Sequence, residues 1–326
     1  MQTMLTAFAT VAMMLLYALP GFLFIKLKVL KESSITAFSK LLLFVCQPMI
    51  MIYTMTRVEY SPTLLGEMGI IFGVTLFLHV GMIALFWFLF RKKMGDARYR
   101  IYTLGTCLGN YGFMGIPILK ALLPEFPNTL AVSAMCAISL HAVTWTAGCS
   151  VISQDKRYIS LKKILLNPAS IGLYIALPFF FANLTPGETI TSLLGEGFGK
   201  DFGKNIDTMI TLLADMATPL CMIIMGMRLG ITSYRAVFGR PALYLIIAIK
   251  QLLLPLATFC LLLVLPLSSE LSRALCILIA CPVAAMVQNF AELLGAGQDT
   301  GAGIVLLSTA LSALTIPLIA LLLPLL

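Results

Sequence analysis

Apolar stretches of about 20 residues recur along the whole 326-residue chain, separated by short loops that hold nearly all of its charge. A helix rises about 1.5 Å per residue, so that length is what crossing the hydrocarbon core of a bilayer requires. In lipid no water satisfies backbone N–H and C=O groups, and a segment of this kind meets them internally by becoming a helix. Composition agrees, with 60% hydrophobic residues, 11% charged residues and a mean hydropathy of +1.00. That charge is too sparse to cover a soluble domain. The fold class is an all-α polytopic membrane protein, with the lipid bilayer as its solvent.

Apolar length places ten transmembrane helices at about 4–25, 34–56, 64–90, 100–123, 129–152, 161–183, 207–229, 237–265, 271–294 and 300–325. The first is too long for a signal-peptide core and lacks a small-residue cleavage site, so it is expected to stay as a span. The link 184–206 is Gly-rich and charged, with Ile190, Leu193, Leu194, Phe198 and Phe202 at helical spacing. It reads equally as a helix on the membrane surface or as the lead-in to span seven.

The net charge of +8 does not point to nucleic acid, because the Lys and Arg residues sort by side of the membrane. Lys26, Lys28, Lys31, Lys40, Arg91, Lys92, Lys93, Arg98, Arg100, Lys156, Arg157, Lys162, Lys163, Arg228, Arg235 and Arg240 fall on one side. Arg57, Lys120, Lys200, Lys204 and Arg273 fall on the other, and Lys250 lies within a span. The positive-inside rule then puts the basic loops in the cytoplasm and both termini outside a cell (inner or plasma) membrane. The eight cysteines all sit in apolar segments with no CxxC pair, which indicates packing rather than a metal site or disulfide framework.

The two halves echo one another. Pro48 and Arg57 in span two have the spacing of Pro219 and Arg228 in span seven, at an offset of 171 residues. Tyr17-Ala-Leu-Pro20 in span one is matched by Tyr174-Ile-Ala-Leu-Pro178 in span six. Five spans per half make the second half enter the membrane upside down. Residues 1–154 and 155–326 are therefore expected to form two inverted five-helix repeats, with a binding site at their interface near the midplane.

Span four carries Gly109, Asn110, Tyr111, Gly112, Phe113, Gly115 and Pro117 near its middle, a poor helix. The corresponding part of span nine holds Pro282, Gln288 and Asn289. Such breaks survive in a membrane where they line a cavity or are buried in protein. If both helices are discontinuous, their second halves start near the midplane with Pro117 and Pro282 in first-turn positions, and their N-termini favour an anion. Kinks that merely relieve close packing are the alternative.

Lys250, at the centre of span eight, is expected to balance a substrate anion or Asp215, or to titrate during proton coupling. Asp215 either holds a coupling ion or reaches the outer interface. Glu292 and Asp299 are expected to be solvated at the cytoplasmic end of span nine, and His79 and His141 to be packing or hydrogen-bonding residues rather than proton relays. Ser308, Ser312 and Thr315 share one face of span ten, as interhelical glue or as cavity lining.

At these residues the chain resembles the auxin efflux carrier family. The matching pieces are Gly109-Asn110-Tyr111-Gly112-Phe113 with Gly115 and Pro117, Ala217-Thr218-Pro219-Leu220 with Gly226 and Leu229, and Ser308-Thr309-Ala310-Leu311-Ser312 with Thr315 and Pro317. The resemblance implies the fold of bile-acid:sodium symporters and sodium/proton antiporters. Spans 3–5 and 8–10 would make a transport domain in which four and nine cross, and spans 1–2 and 6–7 a scaffold. It places Asn110, Pro117 and Pro282 beside the substrate. The short segment from Gln154 to Ser160 fits the short prokaryotic type, which is linked to malonate and other small carboxylates.

The function expected is secondary active transport of a small organic anion, such as malonate or an auxin-like acid, with Asn110, Gly112, Phe113, Gly115, Pro117, Lys250, Pro282, Gln288 and Asn289 at the site. The alternative is a cation/proton antiporter or sodium-coupled symporter using Asp215 and Lys250. No HExxH, GxSxG or Walker motif occurs, so neither an enzyme nor direct ATP use is indicated. No cofactor beyond a coupling H+ or Na+ is implied; a homodimer and a non-transporting sensor stay open.

Overall fold

The computed structural model describes residues 2–233 and 238–326; Arg235 of the basic loop set lies outside them. It is all-helical, at 82% helix, and the described residues contain no strand. Among the described residues, seven helical stretches are long and apolar enough to cross a membrane: Met4–Lys26, Ser34–Met55, Pro62–Lys93, Thr129–Ser153, Pro186–Ile231, Pro241–Leu262 and Gln298–Leu325. The three other expected spans are shorter for visible reasons. Pro168–Ala182 is a 15-residue helix that begins at a cap, where the Asn167 side chain accepts from the Ser170 amide. The remaining two are each divided, into Ala97–Gly105 and Ile116–Leu122 and into Ser269–Ala280 and Ala285–Leu293.

The link 184–206 is a helical hairpin. Pro186–Leu194 opens with a capping box between Thr185 and Glu188, and Lys200–Asp215 runs on into Ala217–Ile231. Asp207 ties the two arms by accepting from the Thr185 hydroxyl and the Gly187 amide, at 2.7 and 2.9 Å.

Proline shapes the helices around the centre. It has no N–H to offer the carbonyl four residues earlier. Pro48, Pro117 and Pro255 each follow a five-residue π-helical turn, Leu42–Cys46, Tyr111–Gly115 and Ile249–Leu253, which takes up the mismatch. A fourth such turn, Thr144–Gly148, carries Trp145.

Burial grades from centre to rim. The apolar window of Thr129–Ser153 is 78% buried, against 17% for Met4–Lys26, whose outward side chains face lipid. Glycines set the closest approaches. A Cβ at Gly226 would strike the Ala18 carbonyl, one at Gly21 the Ile223 carbonyl, and one at Gly172 the Pro48 backbone. Helix Ala18–Lys26 thus packs on Ala217–Ile231, and Pro168–Ala182 on Gln47–Met55, backbone to backbone.

We expect Gly226→Ala to cost about 1–3 kcal/mol of stability through overpacking against Ala18. Gly66→Ala, where nothing lies within 4 Å, is expected to be neutral or mildly stabilising. Thermal melting of the two purified variants in detergent checks the contrast.

Candidate functional site

The two divided helices meet where they are interrupted. Gly109 and Val283 form an isolated antiparallel bridge. The Asn110 amide donates to the Pro282 carbonyl and the Ala284 amide to the Leu108 carbonyl, each at 2.9 Å. Freed backbone groups are met from neighbouring helices: the Val283 amide donates to the Ser308 hydroxyl at 3.1 Å, and the Ser133 hydroxyl to the Tyr111 carbonyl at 2.9 Å. Pro117 leaves the Phe113 carbonyl without a helical donor, and the Thr218 hydroxyl supplies one at 2.6 Å. Among the face residues of span ten, Ser308 is therefore glue for the crossing.

Pro117 occupies the first turn of Ile116–Leu122, as the sequence suggests. Pro282 does not take the equivalent position. Only its carbonyl can join the crossing, and helix Ala285–Leu293 starts three residues later. Neither Tyr111–Gly115 nor Ala285–Leu293 has a side-chain cap. Two amide-bearing helix starts therefore converge near the crossing, each with a partial positive charge.

Two small cavities flank Asn110. One is lined by Asn110, Cys221, Gln288, Asn289 and Thr309, among others. The second is lined by Gln47, Asn110, Gly112, Phe113 and His141, among others. No carboxylate lines either of them. Asn110, Gln288 and Asn289 are all buried. The Gln288 Nε2 and Asn289 Nδ2 amino groups have no hydrogen-bond partner, while Asn289 Oδ1 accepts from Ser39 at 3.3 Å. Buried donors left free cost stability unless something accepts from them. Each cavity measures about 10 Å³, room for a water molecule at most. The site is closed in this conformation.

Beyond it lies a vestibule of about 780 Å³ that includes Phe44, Trp145, Lys162, Lys163, Asn167 and Phe290 in its lining. Trp145 and Phe290 sit one turn past His141 and Met286 on the same two helices, and their rings meet edge to face at 4.8 Å. Both rings line the vestibule and neither cavity beside Asn110.

Several expected roles change. Lys250 is fully buried and lines neither cavity; its ammonium lies 5.9 Å from the Tyr111 ring centroid and donates to the carbonyls of Ile279 and Cys281 at 2.6 and 3.1 Å. It holds the carbonyl end of Ser269–Ala280, where a cation is favoured by the helix dipole. Asp215 is exposed and lies 3.7 Å from Lys120, so it does not pair with Lys250. Gly115 is a packing position, since a Cβ there would meet Leu278. Glu292 is not solvated but pairs with buried Arg228 at 2.5 Å, and Arg228 also reaches Glu32 at 3.6 Å. Asp299 is exposed, as expected. His79 is fixed between the Ser139 hydroxyl and the Tyr111 hydroxyl, at 2.8 and 2.9 Å.

Gln47, Trp145 and Phe290 are residues of this region that sequence reasoning passed over, while Thr218 and Thr309 entered only as parts of the family-like motifs. Gln47 carried a usable signal, as an uncharged polar residue beside a proline inside a span. The aromatic pair carried none, because its partners are 145 residues apart.

Replacing Lys250 by Met should leave two buried helix carbonyls without a donor, at a cost of about 1–3 kcal/mol. The expected signature is a lowered melting temperature of the purified protein rather than weakened ligand binding to whatever fraction remains folded.

No curated protein matches the chain. A protein family described as membrane transport protein matches residues 6–161 and 155–320, nearly the full length. Members of that family are transporters. Matched across both halves, with several apolar helices that can cross a bilayer, the chain is a multi-pass membrane protein of the auxin efflux carrier family.

Proposed function

We propose that the chain is a secondary active carrier of a small organic anion, with the anion bound at the crossing of the two divided helices. The observation that carries this reading is the donor surplus at that point. Two uncapped helix starts and the free amino groups of Gln288 and Asn289 surround Asn110 in cavities that no carboxylate lines. A carboxylate would accept from all of them in a low-dielectric setting, where such bonds are strong. A metal cation would find no charged ligand there.

The architecture in this proposal is ten spans in two inverted halves. In its support, the helix at 18–26 packs on 217–231 as 168–182 packs on 47–55, the reciprocal contacts that a two-fold relation between halves would produce. Spans one, two, six and seven act as scaffold, and the remaining six carry the crossing. Alternating access then requires the closed cavities around Asn110 to open toward one side at a time. Toward the vestibule that means parting Trp145 from Phe290. The basic loops put this vestibule, with Lys162 and Lys163, on the cytoplasmic side. Lysines at its mouth raise the local concentration of anions.

An antiporter using Asp215 and Lys250 together loses its support, because one residue faces solvent and the other is fully buried against helix carbonyls.

A thermal-shift screen of small carboxylates, with and without sodium, identifies the ligand. For malonate, Asn110→Asp is expected to weaken binding and counterflow in proteoliposomes by at least about 30-fold, since it sets a negative charge among donors meant for another. Unchanged malonate counterflow in Asn110→Asp would remove the crossing as the site.

A further inference from the structure

We infer that His141 is the residue that takes up a proton together with the transported anion. The inference rests on the anion-carrier reading and adds its coupling chemistry. The chain has two histidines. His79 has both ring nitrogens engaged, with Ser139 and Tyr111. His141 is buried, its Nδ1 has no hydrogen-bond partner, and it lines the cavity shared by Gln47, Asn110 and Gly112. A neutral imidazole held without a partner beside a site rich in donors is a proton acceptor waiting for a counter-charge.

The surrounding elements supply none. Tyr111 is the other titratable side chain lining that cavity, and its ring is held by the hydroxyl contact with His79. Lys250 is a cation rather than a counter-charge: its ammonium lies 5.9 Å from the Tyr111 ring centroid and donates to the carbonyls of Ile279 and Cys281. Lys162 and Lys163 line the vestibule, beyond Trp145. Cys221 lines the other cavity, with Gln288 and Asn289. Glu292, the nearest carboxylate along helix Ala285–Leu293, is committed to Arg228.

A carboxylate entering between Asn110 and His141 would bring the missing counter-charge. The imidazole then gains one proton from the side that is open to water. It releases that proton when the anion leaves on the far side and the ring is again buried alone. One proton crosses with each anion, the charge moved falls by one, and no covalent bond forms or breaks. An opposite charge about 4–6 Å away is enough to change the protonation of such a group across the physiological range.

Two histidines make the test direct. Protein labelled with 13C and 15N at histidine, in nanodiscs, gives two side-chain signals that His79→Gln and His141→Gln assign. Between pH 5 and 8 the His141 ring is expected to convert to the imidazolium pattern in the presence of malonate and to stay neutral without it, while His79 stays neutral in both. Malonate counterflow by the unmodified protein should rise with acidification by up to about tenfold per pH unit, as a one-proton step does. In His141→Gln the profile should be flat, whatever the absolute rate. A neutral His141 ring with malonate bound overturns the inference, as does a retained pH profile in His141→Gln. If that variant fails to fold, the spectra of the unmodified protein decide. Failure of the unmodified protein to bind or exchange malonate at any pH overturns the carrier reading for that anion and this inference with it.

Discussion

Backbone hydrogen bonding in hydrocarbon is the constraint on which the rest of this structure depends. An unsatisfied N–H or C=O costs several kcal/mol in a membrane, so a helix can be interrupted only where other groups replace the lost bonds. Here nearly every replacement can be named. Leu108, Asn110, Pro282 and Ala284 satisfy one another across the Gly109–Val283 bridge. Ser308, Ser133 and Thr218 take the groups that the bridge does not reach, and Lys250 takes the carbonyls where helix Ser269–Ala280 stops. What is left over is a set of donors aimed into two small cavities. The chemistry of the site is the remainder of that accounting.

The same accounting suggests how the molecule changes shape. Few polar contacts join the scaffold helices to those of the crossing: Ser39 to Asn289, Thr218 to Phe113, Arg228 to Glu292, and Lys120 to Asp215 and the Tyr53 ring. The last of these are solvent-exposed and weak. Arg228 and Glu292 are shielded, so separating them is costly unless each charge meets water as it leaves. They stand one turn beyond Gln288 and Asn289, close to the Trp145–Phe290 contact. An opening toward the vestibule would admit the water those charges need, which links the barrier to the motion.

How much of this was legible beforehand follows from the range of each interaction. Apolar run length revealed the membrane class, because hydrophobicity is summed over about 20 neighbouring residues, and short motifs in both halves carried the resemblance to the family. Glycine and proline density revealed the interruption at 109–117, a local property of the chain. The matching interruption near Pro282 has no glycine, and its geometry is set by Ser308 and by residues about 170 positions away. That is why Pro282 looked like the start of a helix and proved to be part of the non-helical crossing segment. Lys250 invited a functional reading because a buried charge is expensive; its partners are main-chain carbonyls, which no sequence pattern marks. Glu292 looked solvated because it is near a helix end, but it is largely buried and paired with Arg228, 64 residues away.

The account stands on the uncapped helix starts at the crossing receiving a carboxylate. Amide 15N and 1H shifts of Gly112, Phe113, Ala285 and Met286, followed in nanodiscs while malonate is added, measure that contact at the atoms concerned. The account predicts that these four amides move downfield together and saturate at one malonate concentration, while the amides of the hairpin at 186–215 stay in place. Saturable malonate binding that leaves all four unmoved would contradict it.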